Sequence, residues 1–132
     1  MAGLEKDTPI PTGLVLHTAS GVLEVQYPDA RYRLPFEFLR VYSPSAEVRG
    51  HGMGQEILQT GKRDVRVTRI DGVGHYAIRL GFSDGHDTGI YSWDYLYTLA
   101  TRQDALWQDY LTRLEAAGAS RDGAVPGQPV EA

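Results

Sequence analysis

Asp84, His86 and Asp87 fall together in one short stretch, and they come nearest in this chain to a reactive set. An imidazole between two carboxylates can move a proton or help to hold a metal. A non-haem iron triad needs two histidines and one carboxylate converging on the ion. The other histidines are His17, His51 and His75. His51 and His75 are the candidates for sharing zinc or iron with His86, in an oxidoreductase-associated role. Ser83 and Ser92 lie nearby, but neither sits in the elbow that exposes a nucleophilic serine. The simpler reading gives the carboxylates to the backbone. Asp84-Gly85 is a strong hairpin signal, and short acidic side chains in turns bond to adjacent amides. No catalytic residue is assigned.

Nothing else points to a familiar reaction. There is no GxGxxG, no P-loop and no HExxH. Gly50-His51-Gly52-Met53-Gly54 is rich in glycine but lacks the strand–loop–helix setting and the lysine of a phosphate cradle. Lys62 and Arg63 could meet an anion, although a solvated charge pair explains them as well. Tyr91, Trp93, Tyr95 and Tyr97 crowd one short stretch. On a helix Trp93 and Tyr97 share a face and Tyr95 points elsewhere, so Trp93 reads as core and Tyr95 as facing a partner.

Several elements must position these groups. Leu14–Thr18 and Val22–Tyr27 read as paired strands, with Leu23, Val25 and Tyr27 on one face and Glu24 and Gln26 on the other. A third strand covers 31–34, and Pro35 suits the start of a short helix with Phe36, Leu39 and Val41 or Tyr42 inward. Residues 43–64 lack periodicity, and a loop of that length is often functional. A strand is predicted over 64–70, then a turn at 71–74. Tyr76, Ile78, Leu80 and Phe82 alternate as the clearest strand, with 88–91 as its hairpin partner. Ser92 caps a helix carrying Trp93, Leu96, Leu99 and residues onward to Gly118, with a break near 100. The predicted fold is α+β: a small antiparallel sheet of hairpins against a C-terminal amphipathic helix. Residues 1–12 read as a flexible arm, 13–117 as the domain and 118–132 as a disordered tail.

The 132 residues suffice for one domain with its own core. They include no cysteine, which removes disulfides, thiolate nucleophiles and cysteine-held clusters from consideration. No signal-peptide pattern and no membrane-spanning run is visible, so a cytoplasmic protein is expected. The net charge of -4 is uneven: residues 31–83 carry nine Lys/Arg against five Asp/Glu, or +4, between acidic ends. That bias is too weak to indicate nucleic acid.

Three segments carry a resemblance: LPFEFLRVYSPSAEVRGHG, LQTGKRDV and FSDGHDTGIYSWDYLYTLA. From about residue 12 to 116 the chain resembles the DUF971 family, whose domain is similar to the N-terminal domain of gamma-butyrobetaine hydroxylase. In those hydroxylases a separate double-stranded β-helix domain holds the iron and binds 2-oxoglutarate, and this sequence contains no such domain. The family domain there also holds a structural zinc through three cysteines and one histidine. The resemblance places Ser43, Ser45 and a non-ligand, Val48, at the thiolate positions, and His86 at the histidine. A neutral hydroxyl is a poor zinc ligand beside thiolate. Structural zinc can supply about 10–16 kcal/mol of folding free energy, so packing and hydrogen bonds must replace it. The resemblance therefore implies a metal-free variant with His86 bonded to the 43–47 loop. Related domains also occur attached to Mrp-type P-loop ATPases that handle iron–sulfur clusters.

Together these readings predict a stand-alone, non-catalytic accessory or protein-interaction domain, monomeric or homodimeric, with no cofactor. Its partner is expected to be a protein rather than nucleic acid or membrane. The interaction surface is expected to combine Arg40, Arg49, Lys62 and Arg63 with the apolar anchors Tyr91, Trp93 and Tyr95.

Overall fold

The computed structural model describes residues 8–45, 48 and 57–122. Two antiparallel three-stranded sheets are joined by helices. The first contains β1 (Gly13–His17), β2 (Val22–Tyr27) and β3 (Ala30–Pro35), in that spatial order. As the alternation predicts, Leu23, Val25 and Tyr27 are buried. Glu24, expected on the solvent face, is only 9% exposed. His17 Nε2 and Gln26 Nε2 lie 3.0 and 2.7 Å from its two carboxylate oxygens, which lets the carboxylate sit buried on the central strand.

Pro35 closes β3 with an extended ψ of 145° and leads into α1 (Phe36–Val41). This helix is buried on every side, not on one. Its two charged residues are tolerated because each meets an opposite charge: Glu37 bonds to Arg121, and Arg40 to Asp84.

The second sheet contains β4 (Val67–Val73), β5 (Ala77–Phe82) and β6 (Ile90–Ser92). β4 runs through Asp71 and Gly72, where a turn is predicted, and the chain reverses after Gly74 at φ 53°. Asp71 stands opposite Arg79 in the ladder and lies 3.6 Å from its guanidinium, so a residue suited to turns serves as a cross-strand ion pair. Tyr76 consequently sits in that turn, 44% exposed, and not on the inner face with Ile78, Leu80 and Phe82. Ala77 and Gly81 are buried as well, because β5 is the central strand. β6 begins at Ile90, not at Thr88.

The C-terminal helix is two helices, α2 (Trp93–Thr101) and α3 (Gln103–Ala117), broken at Arg102. Ser92 Oγ accepts from the Tyr95 amide at 3.3 Å, the N-cap bond expected of serine. Ser92→Ala should lower the unfolding free energy by about 1 kcal/mol, read from the midpoint of a urea titration. Gly118 ends α3 in the left-handed region at φ 65°. Beyond it the chain is not loose: the Ser120 and Arg121 carbonyls each accept at 3.1 Å, from the Gly61 and Arg63 amides. Main-chain bonds thus continue past Gly118 as far as Arg121.

One core draws on both sheets, α1 and α2; Phe38, Leu39, Leu80, Tyr91 and Leu96 are among its fully buried members. A smaller cluster of Val41, Tyr110 and Leu114 lies under α3. The hairpin from β5 to β6 and the segment leaving α1 meet at the edge of this core, and the Asp84–Asp87 stretch is held there.

Candidate functional site around His86

His86 is 7% exposed, in the turn between β5 and β6. Its amide donates to Asp84 Oδ1 at 3.1 Å and its carbonyl accepts from the Phe82 amide at 2.9 Å. Gly85 supplies the φ of 89° that lets the chain turn back so tightly. The ring then reaches across to the segment after α1, where Ser43 Oγ lies 2.8 Å from Nε2.

The Tyr91 hydroxyl donates to the Leu39 carbonyl at 2.6 Å, since a carbonyl can only accept. Tyr91 is fully buried, and burial pushes its phenol far above the usual range, so it stays protonated. Ser43 Oγ also accepts the Ser45 amide at 3.2 Å, so one hydroxyl bonds both the hairpin histidine and the backbone of its own segment. Ser45 Oγ and Thr88 Oγ1, 2.6 Å apart, form a second link between the same two segments.

Asp84 anchors the mouth of the hairpin. Its Oδ2 accepts from Arg40 Nε at 2.9 Å and Lys62 Nζ at 2.7 Å, and Arg40 also donates to Gln59 Oε1 at 2.9 Å. Burial works to raise the Asp84 pKa, but Lys62, the His86 amide and Arg40 outweigh it and hold the carboxyl down to about 2. Asp87 is separate and exposed, 3.9 Å from Arg69.

Gly89 shows how closely the two segments approach. A Cβ there would overlap Ser43 Oγ and come within 3.3 Å of Pro44 Cδ. Gly89→Ala should therefore cost about 1–3 kcal/mol, visible as a lowered Tm, and Ser43→Gly in the same chain should recover part of it.

The family's zinc does not fit these donors. Among the described residues, the side chains bonded around His86 are the hydroxyls of Ser43, Ser45 and Thr88, neutral oxygens that are poor zinc ligands beside thiolate. No group of three or more His, Asp or Glu able to hold a metal occurs among the described residues. His75 cannot assist. It precedes β5 while His86 follows it, and six strand residues separate their ends by roughly 20 Å. His51 lies outside the described residues, as does Arg49.

The remaining predicted surface residues divide. Tyr91 is core, because its hydroxyl finds a carbonyl inside the protein. Arg40 is 7% exposed, spent on Asp84 and Gln59, so it is not a surface cation. Lys62 lies beside it on Asp84, while Arg63 is more open and pairs with Asp122. Trp93 is half-buried and donates Nε1–H to the His75 carbonyl at 2.8 Å; half-buried Tyr95 donates to the Tyr42 carbonyl at 2.5 Å.

Next to this knot is a cleft of about 310 Å³ that residue spacing did not reveal. Tyr42, Tyr95, Tyr110 and Arg113 line one side and Ile57 and Leu58 the other. Tyr110 donates to the Gln59 carbonyl at 2.7 Å, and burial pushes its phenol up to about 12. Ile57 is 54% exposed at the rim. Tyr95 was singled out in the sequence, as were Ser43 and Val48, which also line the cleft; Tyr42, Tyr110 and Arg113 are brought to them by α1 and α3.

A family model described as gamma-butyrobetaine hydroxylase-like, N-terminal, matches residues 14–97. No curated protein matches the chain. Among solved structures, one determined by NMR in solution is 50% identical, with a TM-score of 0.79, covering 93% of this chain and 99% of that one. A second NMR structure is 49% identical, with a TM-score of 0.76, covering 96% and 98%. A crystal structure of a DUF971 protein of unknown function from Acidithiobacillus ferrooxidans ATCC 23270 is 43% identical. Its TM-score is 0.57, and the match covers 68% of this chain and 91% of that one.

Proposed function

Since the chain belongs to the gamma-butyrobetaine hydroxylase-like, N-terminal family, we propose that it serves as an accessory domain that binds a partner protein and performs no reaction itself. The observation that carries this reading is that the reactive groups are used internally. Asp84 pairs with Arg40 and Lys62, and His86 bonds to Ser43, which makes them parts of a scaffold. That scaffold fixes the walls of the cleft between Tyr42, Tyr95, Tyr110 and Ile57, where aromatic faces and one arginine provide the anchors that protein interfaces favour. No cofactor is required. Among the described residues no helix is long and apolar enough to cross a membrane, and a cytoplasmic setting in iron–sulfur or cofactor-related processes is part of the same proposal.

The test compares untagged protein with Ile57→Asp, which changes an exposed rim residue. A protein recovered from cell extract in near-stoichiometric amount with the parent and lost with Ile57→Asp is expected. Equal recovery with both would overturn the cleft assignment. Stoichiometric zinc or iron in the parent, lost on His86→Ala, would overturn the non-catalytic, metal-free reading.

A further inference from the structure

On a different surface, we propose that Glu37 and Trp107 form a pocket that recognises arginine in a turn-forming peptide segment of a partner protein, and that Arg121 fills this pocket from within the chain. Glu37 is 6% exposed although it lies on a helix, and both its oxygens are taken by one guanidinium: Arg121 Nε at 2.8 Å and Nη2 at 2.5 Å. The guanidinium also lies over the Trp107 ring, 5.1 Å from its centroid. A planar fork held by a bidentate carboxylate and stacked on an indole is a geometry that lysine cannot reproduce.

The residue occupying the pocket arrives on a strap, not on a helix or strand of the core. Gly118 ends α3, and the strap is joined to the domain by main-chain bonds from Gly61 to Ser120 and from Arg63 to Arg121, with Asp122 paired to Arg63. The domain thus reads two main-chain carbonyls, an arginine and a following acidic residue, presented on a turn that the Asp122 amide closes by donating to Ser120 Oγ at 2.9 Å. The pocket is also larger than its occupant. A cleft of about 270 Å³ continues beside Arg121, lined by Pro35, Phe38, Gln103 and Asp104. Its second carboxylate, Asp104, adds charge complementarity for a basic ligand. A peptide offering arginine plus an apolar neighbour could displace the strap by filling space that the strap leaves open. Release of the strap would expose the buried Glu37, which keeps the pocket closed until a competitor arrives.

The probe is a capped pentapeptide, Ala-Ser-Arg-Asp-Gly, followed through the Trp107 indole resonance of the full chain. Arg121→Ala is expected to bind it at least tenfold more tightly than the parent. Lysine in place of the peptide arginine, or Glu37→Gln added to Arg121→Ala, should abolish the gain. A folded Arg121→Ala protein that binds no peptide, or binds the lysine version equally, would overturn the proposal. Should Arg121→Ala fail to fold, amide exchange in the unmodified chain decides. Gly61 and Arg63 are expected to exchange by local opening at least tenfold faster than the core amides of β5. Exchange at the rate of global unfolding would mean that the strap does not open, and the proposal would fall.

Discussion

Tyr91→Phe is expected to destabilise the protein by about 1–3 kcal/mol, although it removes a single oxygen atom. The phenol is fully buried and donates to the Leu39 carbonyl at 2.6 Å. Phenylalanine leaves that carbonyl without its donor in a place water does not reach, so its desolvation goes uncompensated. Tyr91→Ala adds the empty volume of a ring and should cost about 3–5 kcal/mol. Chemical denaturation of the three proteins checks both figures. A Tyr91→Phe protein as stable as the parent would show that the bond to Leu39 contributes nothing.

Arg40→Ala should cost about 2–3 kcal/mol. Removing one member of a fully buried ion pair typically costs about 3–5 kcal/mol. Here Asp84 keeps Lys62 and its side chain is 26% exposed, which softens the loss. The same cluster predicts a pH dependence. The Asp84 pKa is lowered from 3.8 to about 2, so its contribution is fully present above the unfolded value and is lost as the pH falls from about 4 through 2. Asp84 is partly exposed, so solvent screening reduces what a shift of that size contributes to about 1 kcal/mol. Stability measured against pH should therefore fall less steeply in Asp84→Asn than in the parent across that window. Parallel curves would place the acid sensitivity elsewhere.

Much of the fold was legible because alternation reports burial directly: Leu23, Val25 and Tyr27 on β2, and Ile78, Leu80 and Phe82 on β5, are all buried as read. The caps at Ser92 and Gly118 were legible for the same local reason. What escaped were features whose cause lies far away in the chain. Asp71-Gly72 looks like a turn until Arg79 stands opposite. Tyr91 and Arg40 look like surface residues because their polar tips suggest water, and only the folded chain supplies Leu39, Asp84 and Gln59 as substitutes. Nothing local marks Glu37 as buried, since its partner Arg121 comes from the far end of the domain. The bond between His86 and Ser43 was accessible only through family resemblance, which aligned the two positions.

Long-range proton–nitrogen correlation on the His86 imidazole tests most directly whether this histidine ties the hairpin to the loop instead of doing chemistry. The Nε2 shift should be unchanged by one equivalent of zinc and altered by Ser43→Ala, which removes its 2.8 Å partner. An Nε2 resonance that moves when zinc is added would contradict the scaffold role and return His86 to the metal ligands.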